Sequence, residues 1–308
     1  MPAPNHVWEA VKTTLEKLIP TRFEGSQVPQ LSHYTNVEGL LGICTNNHLW
    51  ATCAQYSNDV SEVIYAQSVA RELIQKFFEG RSLNEREKRI KSMWELDTSP
   101  DTNADAYITS FCESKDLLSQ WRAYGKSAGF EIRFLGLTTL ALHSPAVTET
   151  VLTRVVYRKE VQQSTLESVF REALKVLDTP DSSGTSPEDF FTVVSALSSL
   201  EIKRWLYSIK HPSFAEEKEW RIIAFPLLQN PLAGIHYKHP ESIKFRAGRH
   251  SLVPYVELSP DHGKLPISEI ICGPGGHHKL TGKAVELLLA SKGFEHVRAR
   301  NSQVPLAL

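Results

Sequence analysis

Two residues stand out for the chemistry that their types and settings allow. His33 lies in Leu31-Ser32-His33-Tyr34-Thr35, a short β-rich run that leads straight into an apolar-periodic segment. An imidazole there can hydrogen-bond a ribose or phosphate oxygen, and the start of the next helix adds backbone N–H groups. A histidine that merely packs would look the same. Glu219 lies in Glu216-Glu217-Lys218-Glu219-Trp220-Arg221, where a loop becomes a strand. A carboxylate in that place is either presented at the edge of a pocket or simply solvated.

Two further clusters carry polar and aromatic groups close together. In Tyr56-Ser57-Asn58-Asp59, with Glu62 beyond, Asn58 or Asp59 caps the following helix or lines a pocket beside its positive end. In Asp116-Leu117-Leu118-Ser119-Gln120-Trp121-Arg122-Ala123-Tyr124-Gly125, Trp121, Arg122 and Tyr124 could stack on a flat ring and grip a phosphate. Alternatively, Leu117, Leu118 and Trp121 are the buried side of a short helix. Gly273-Pro274-Gly275-Gly276 follows a strand but lacks the spacing of either common nucleotide loop, so a turn is expected. Adjacent His277 and His278 rarely converge on one ion without a third ligand, and no metal site is expected.

These residues need elements to hold them. Helical periodicity predicts a helix over 37–45 and a long one from the Ser57-Asn58-Asp59 cap to about 78, with a charged helix face at 84–91 and two more helices over 166–177 and 189–209. Ser186, Pro187 and Asp189 supply the start of the last of these. Short β-rich runs fall at 31–35, 48–53, 107–112, 129–134, 151–157, 220–225, 253–258 and 269–272. Strands and helices do not alternate regularly, so an α+β fold is expected rather than a doubly wound parallel sheet. Val7, Val11, Leu15 and Leu18 predict an amphipathic N-terminal helix within residues 1–20. The whole, 1–308, is expected to be one domain: a core over 31–275 with helical insertions near 60–97 and 160–210, then a C-terminal helix and strand over 276–308.

Composition narrows the classes. With 34 basic and 35 acidic residues the net charge is −1, which offers no general attraction for nucleic acid or anionic membrane but leaves room for a local basic groove. Cys44, Cys53, Cys112 and Cys272 form no Cys-x-x-Cys pair, so a disulfide framework and a structural zinc site are not expected and a reducing, cytoplasmic setting is. No uncharged apolar stretch approaches the roughly 20 residues that span a bilayer, so no membrane association is expected.

Taken in order, several motifs resemble a family. They are Leu31-x-His33-Tyr34-Thr35, Glu38-Gly39-Leu40-Leu41-Gly42-Ile43, Leu49-Trp50-Ala51-Thr52, Asn58-Asp59-x-x-Glu62, Leu117-Leu118-Ser119-Gln120-Trp121-Arg122-x-Tyr124, Phe214-x-x-Glu217-x-Glu219-Trp220-Arg221 and Ile267-x-x-Ile270-Ile271-x-Gly273-Pro274. Together they resemble a bacterial family named only as a domain of unknown function. The opening is also similar to that of NAD-using ADP-ribosyltransferases and their RNA 2′-phosphotransferase relatives. That resemblance implies an ADP-ribosyltransferase-like split mixed β-sheet with helical insertions, and NAD as the substrate.

It also implies roles. His33 would contact a ribose, Ser110 in Thr109-Ser110-Phe111 would supply the small hydroxyl of a middle strand, and Glu219 would hold the nicotinamide-ribose hydroxyl. Tyr56 and Tyr124 both fit the stacking tyrosine. Tyr34, Thr35, Asn58, Asp59, Trp121 and Arg122 complete the expected binding set. Cleaving the N-glycosidic bond of NAD develops positive charge on the ribose, which a fixed carboxylate stabilises most in the transition state. The acceptor would be a protein or nucleic-acid group, and the role by analogy that of a toxin or phage-defence effector, with an antitoxin or other regulatory partner. Two alternatives stay open: a non-catalytic nucleotide sensor, and a metal-dependent phosphodiester hydrolase using His33, Asp59, Glu62 and Asp116.

Overall fold

The computed structural model describes residues 28–56, 61–99, 106–124, 129–137, 142–179, 186–227, 237–248, 251–274 and 278–305; the expected helix within 1–20 lies outside them. The chain divides into two compact units. The larger, from Phe23–Tyr56, Ala106–Arg154 and Glu216–Leu308, holds the strands. The smaller, from Ser57–Asp105 and Val155–Ala215 together with Met1–Arg22, holds four of the described helices.

In chain order β1 (Leu31–Thr35), α1 (Val37–Asn46) and β2 (Leu49–Cys53) open the sheet unit. Asn36 caps α1 by accepting from the Gly39 N–H at 2.9 Å. Asn47, at φ 58, ends it in the left-handed conformation. A side chain at Gly39 would bring a Cβ to 1.9 Å from Thr35 Oγ1, so glycine is what lets α1 fold back against β1.

The chain then gives α2 (Ser61–Phe78) and α3 (Glu85–Asp97) to the helical unit. It returns for β3 (Tyr107–Cys112), α4 (Leu118–Tyr124), β4 (Phe130–Phe134), β5 (Leu142–His143) and β6 (Val147–Arg154). A second excursion makes α5 (Lys159–Asp178) and α6 (Pro187–Ser208). Last come β7 (Glu219–Pro226), β8 (Lys244–Ala247), β9 (Leu252–Pro260), β10 (Ile267–Cys272), α7 (His278–Ser291) and β11 (Arg298–Asn301). Elements expected from sequence appear with their ends shifted, most of all α5, which begins seven residues before the expected 166. The charged run at 84–91 opens α3, whose capping box joins Asn84 and Glu87 and whose inner side buries Ile90 and Trp94.

In the helical unit α2, α3, α5 and α6 pack around Phe78, Trp94, Phe170 and Val194. Trp94 and Phe170 stack at 4.8 Å, and the Trp94 indole N–H donates to Ser198 Oγ at 3.0 Å.

The sheet is mixed and open, since β10 and β11 are parallel and the other pairs antiparallel. Helices beside such a sheet make the fold α+β. β3 is where the sheet divides. One edge of β3 pairs with β7 from Tyr107 to Cys112. On the other edge Tyr107 and Ile108 pair with Cys53 and Thr52 of β2, whereas Cys112 pairs with Ser32 of β1. One branch continues from β1 through β4 and β10 to β11, the other from β2 through β9. Between the branches, Thr109 Oγ1 donates to the Trp50 carbonyl at 3.0 Å and the His33 ring bonds the Ser110 carbonyl at 2.9 Å. Among the described residues no helix is long and apolar enough to cross a membrane.

Candidate functional site

The candidate site lies where the sheet divides. Opposed residues on neighbouring strands point to the same face. Ser32 opposes Cys112, and Cys112 opposes Glu219, so these three share one face. His33, Phe111 and Trp220, each one residue along, share the other. Side-chain contacts agree: the His33 and Phe111 rings lie 5.6 Å apart, and Glu219 reaches back to Arg221, its same-face neighbour two residues on.

His33 is partly exposed in the fork. The Ser110 carbonyl can only accept, so His33 Nδ1 carries the proton and Nε2 presents a lone pair. Desolvation pushes the ring's pKa below its ordinary 6.5, with the bond to Ser110 pulling the other way. The imidazole is therefore neutral near pH 7, an acceptor suited to a hydroxyl donor such as a ribose O–H. Thr35, on the same face, packs against α1. Ser110 is exposed on the opposite face, so it offers the fork its backbone carbonyl rather than its hydroxyl.

Glu219 does not join His33. It is 5% exposed and binds the Arg221 guanidinium with both oxygens, at 2.7 and 2.9 Å. The expectation that one ligand site meets both His33 and Glu219 is corrected by this register: β3 lies between their strands and their side chains leave the sheet in opposite directions.

Trp121 and Tyr34 are also corrected as ligand contacts. Trp121 is 0% exposed, packs edge-on against Tyr34 at 4.9 Å, and donates its indole N–H to Asp116 Oδ1 at 2.7 Å. Neither ring face is open to stack on a nucleotide. Asp116, at φ 52, also accepts from Ser302 Oγ at 2.5 Å and from the Gln303 N–H at 2.8 Å. Its carboxylate thus fastens α4 and the segment after β11, which leaves it poorly placed for the hydrolase alternative. Gly273 has a packing reason too, because a Cβ there would meet Trp121 Cζ3 at 2.9 Å.

Arg122 is exposed on α4, and Tyr56 is 44% exposed just after β2. Asn58 and Asp59 lie outside the described residues, as does the side chain of Tyr124. Glu62, on α2, pairs with Lys210 at 2.8 Å within the helical unit. Among the described residues no group of three or more His, Cys, Asp or Glu side chains is arranged to hold a metal ion.

Sequence reasoning missed a buried polar array on the Glu219 face. Glu131, on β4, is fully buried, and it accepts from Ser32 Oγ at 2.6 Å and from the Asp116 N–H at 2.8 Å. Burial pushes its pKa above the ordinary carboxylate range, while the bonds from Ser32, Asp116 and Tyr34 oppose that shift. Beside it Arg133 approaches Glu269 at 3.7 Å, and Glu269 also pairs with Lys115 at 2.7 Å and Arg300 at 2.8 Å. The signal was in Phe130-Glu131-Ile132-Arg133-Phe134, where charges alternate with apolar residues at strand period.

No curated protein and no solved structure matches the chain. A family model does match, over a stretch that includes Trp121 and Glu219 but not His33. Residues 120–222 fit the family described as "Protein of unknown function (DUF2971)".

Proposed function

We propose that the sheet unit binds a nucleotide of the NAD class in the fork beside β3, and that ADP-ribosyl transfer to a protein or nucleic-acid acceptor is its chemistry. The observation that carries the binding half is His33 itself: a neutral imidazole, fixed through Nδ1 by the Ser110 carbonyl, which leaves Nε2 as the accepting nitrogen. The α1 N-terminus begins two residues beyond Thr35 and brings its positive end near the same strand. Transfer rests on the resemblance of the Leu31–Thr35 opening to ADP-ribosyltransferases: β1, β3 and β7 are neighbours carrying His33, Ser110 and Glu219, but of these side chains only His33 faces the fork. A toxin or phage-defence role and a cytoplasmic setting belong to the same reading. The absence of any disulfide among the four cysteines supports the setting.

One observation favours a second reading, a sensor that binds nucleotide without turning it over. Glu219 faces away from His33 and is bound to Arg221. The two readings share the fork and differ over the carboxylate. Calorimetry with NAD tests the fork: wild type should bind and His33→Ala should bind weakly, whereas a wild type that ignores NAD ends both readings. Labelled NAD in cell lysate, with protein and nucleic-acid fractions resolved, then separates them. Label in either fraction supports transfer. Binding without nicotinamide release supports the sensor.

A further inference from the structure

The β8–β9 hairpin of the sheet unit has a surface that the nucleotide reading does not use. β8 pairs only with β9 among the described residues, and all four of its residues are exposed. From Ser242 to Val256 the sequence holds Lys244, Arg246, Arg249 and His250 and no acidic residue, in a chain whose net charge is −1. Among the described residues neither Lys244 nor Arg246 has a carboxylate partner. Arg246 instead donates one N–H to the neutral Thr52 hydroxyl, at 3.0 Å.

Register sorts the hairpin into two faces. Lys244 opposes Tyr255 and Arg246 opposes Val253, so both cations rise from the face that also holds Thr52, Trp50 and Glu257, whose carboxylate lies 3.2 Å from His48. Trp50 and Tyr255 lie 4.9 Å apart there. On the reverse face Phe245 and Leu252 are 58% and 62% exposed. β8 is an edge, so a chain running along it reaches the cations on one side and the Phe245 ring on the other.

We propose that this hairpin docks a single-stranded nucleic acid, with phosphates on Lys244 and Arg246 and a base stacked on Phe245. Charge complementarity argues for an anionic chain, and an exposed aromatic among unpaired cations argues for one that bears bases. A lipid surface fits less well, because a membrane-lying element puts its cations beside its apolar residues, whereas here they face opposite sides. A peptide adding to the sheet fits less well too, since charged side chains on an edge strand discourage strand addition. Docking does not depend on the transferase reading; that the docked strand is the acceptor does.

The test uses the full chain and a labelled oligouridylate of roughly 16 nucleotides, without NAD, over a range of salt. Wild type should bind with a negative slope of log K against log salt. Lys244→Ser with Arg246→Ser should reduce that slope by about 1.4, at about 0.7 per phosphate contact on a single strand. Phe245→Ala should weaken binding about tenfold at fixed salt. Wild type that does not bind, or variants that bind like wild type, overturns the proposal. Capture by phosphatidylserine vesicles without oligonucleotide binding also overturns it and assigns the hairpin to lipid. Calorimetry with NAD on the same preparations keeps the outcomes apart. NAD binding should survive all three substitutions, so its loss in wild type counts against the fork alone.

Discussion

His33 and Glu219 stand on strands separated only by β3, yet they leave the sheet on opposite faces. Binding and catalysis should therefore respond separately to mutation. His33→Ala removes one hydrogen bond and should weaken NAD about 5- to 150-fold, the range of about 1–3 kcal/mol. Glu219→Gln should leave NAD affinity near wild type. If the Glu219 carboxylate takes part in transfer although it faces away from the fork, the variant should slow nicotinamide release by roughly 10²-fold. Calorimetry beside a release assay, on variants shown to be folded, reads both. Unchanged release in a well-folded Glu219→Gln protein would remove that residue from the mechanism.

The Glu219–Arg221 pair also predicts a stability pattern. Removing one member of a buried ion pair strands the other, at a cost of about 3–5 kcal/mol. Glu219→Ala should therefore cost more than replacing both residues with methionine, which leaves no buried charge. Denaturant midpoints of the single and double variants decide it. Equal losses would mean that Arg221 is satisfied without Glu219.

Trp121→Ala should destabilise by about 3–5 kcal/mol, as expected for emptying a fully buried aromatic site. Trp121→Phe should cost less, losing the bond to Asp116 and part of the packing. NAD affinity of the folded fraction should not move in either variant. A selective loss of affinity in a stable Trp121→Phe protein would restore the stacking role.

Glu131 predicts a pH effect of definite sign. Its folded-state pKa is raised above the ordinary 4.5, so its contribution to stability is fully present below that value and is lost as pH rises through the folded value. Glu131→Gln cannot ionise. Its melting temperature should therefore gain on wild type as pH rises from 4.5 toward neutrality. A difference that stays constant with pH would show the carboxyl to be unperturbed.

His33 has the opposite dependence, since its folded-state pKa is lowered. Below 6.5 the unfolded chain takes up the proton first, so stability falls as pH drops from 6.5 through the folded value. His33→Gln should remove that part of the acid sensitivity, which melting curves on the two proteins would show.

Much of the fold could be read from the sequence because it is local. Periodicity located α2, α5, α6 and most strands, and Ser186 marked a helix start by capping chemistry that acts within four residues. β8 escaped because Lys-Phe-Arg-Ala lies fully exposed and so shows no buried, apolar alternation. The site was legible only in part. His33 bonds the Ser110 carbonyl, whereas the resemblance gave Ser110 a part through its hydroxyl, which leaves β3 on the other face. Which face Glu219 takes depends on the register of β1, β3 and β7, and a slip of one residue reverses it. That register is set by pairing between residues far apart in sequence. Trp121 looked equally suited to core and ligand because its partner, Asp116, fixes its burial through a bond that the sequence does not display.

The division of β3 between two neighbours also bears on how the chain closes its longest loops. Ala54 and Ala106 are joined by a backbone hydrogen bond of 2.8 Å, and Arg154 opposes Trp220 across β6 and β7. The sheet therefore releases the chain after Tyr56 and after Arg154 and takes it back through contacts of its own strands. Closing a loop costs only logarithmically more as the loop grows. The stretches 57–105 and 155–215 are thus free to lengthen or shorten with little effect on strand pairing, while a single residue added inside 107–112 would shift both branches at once.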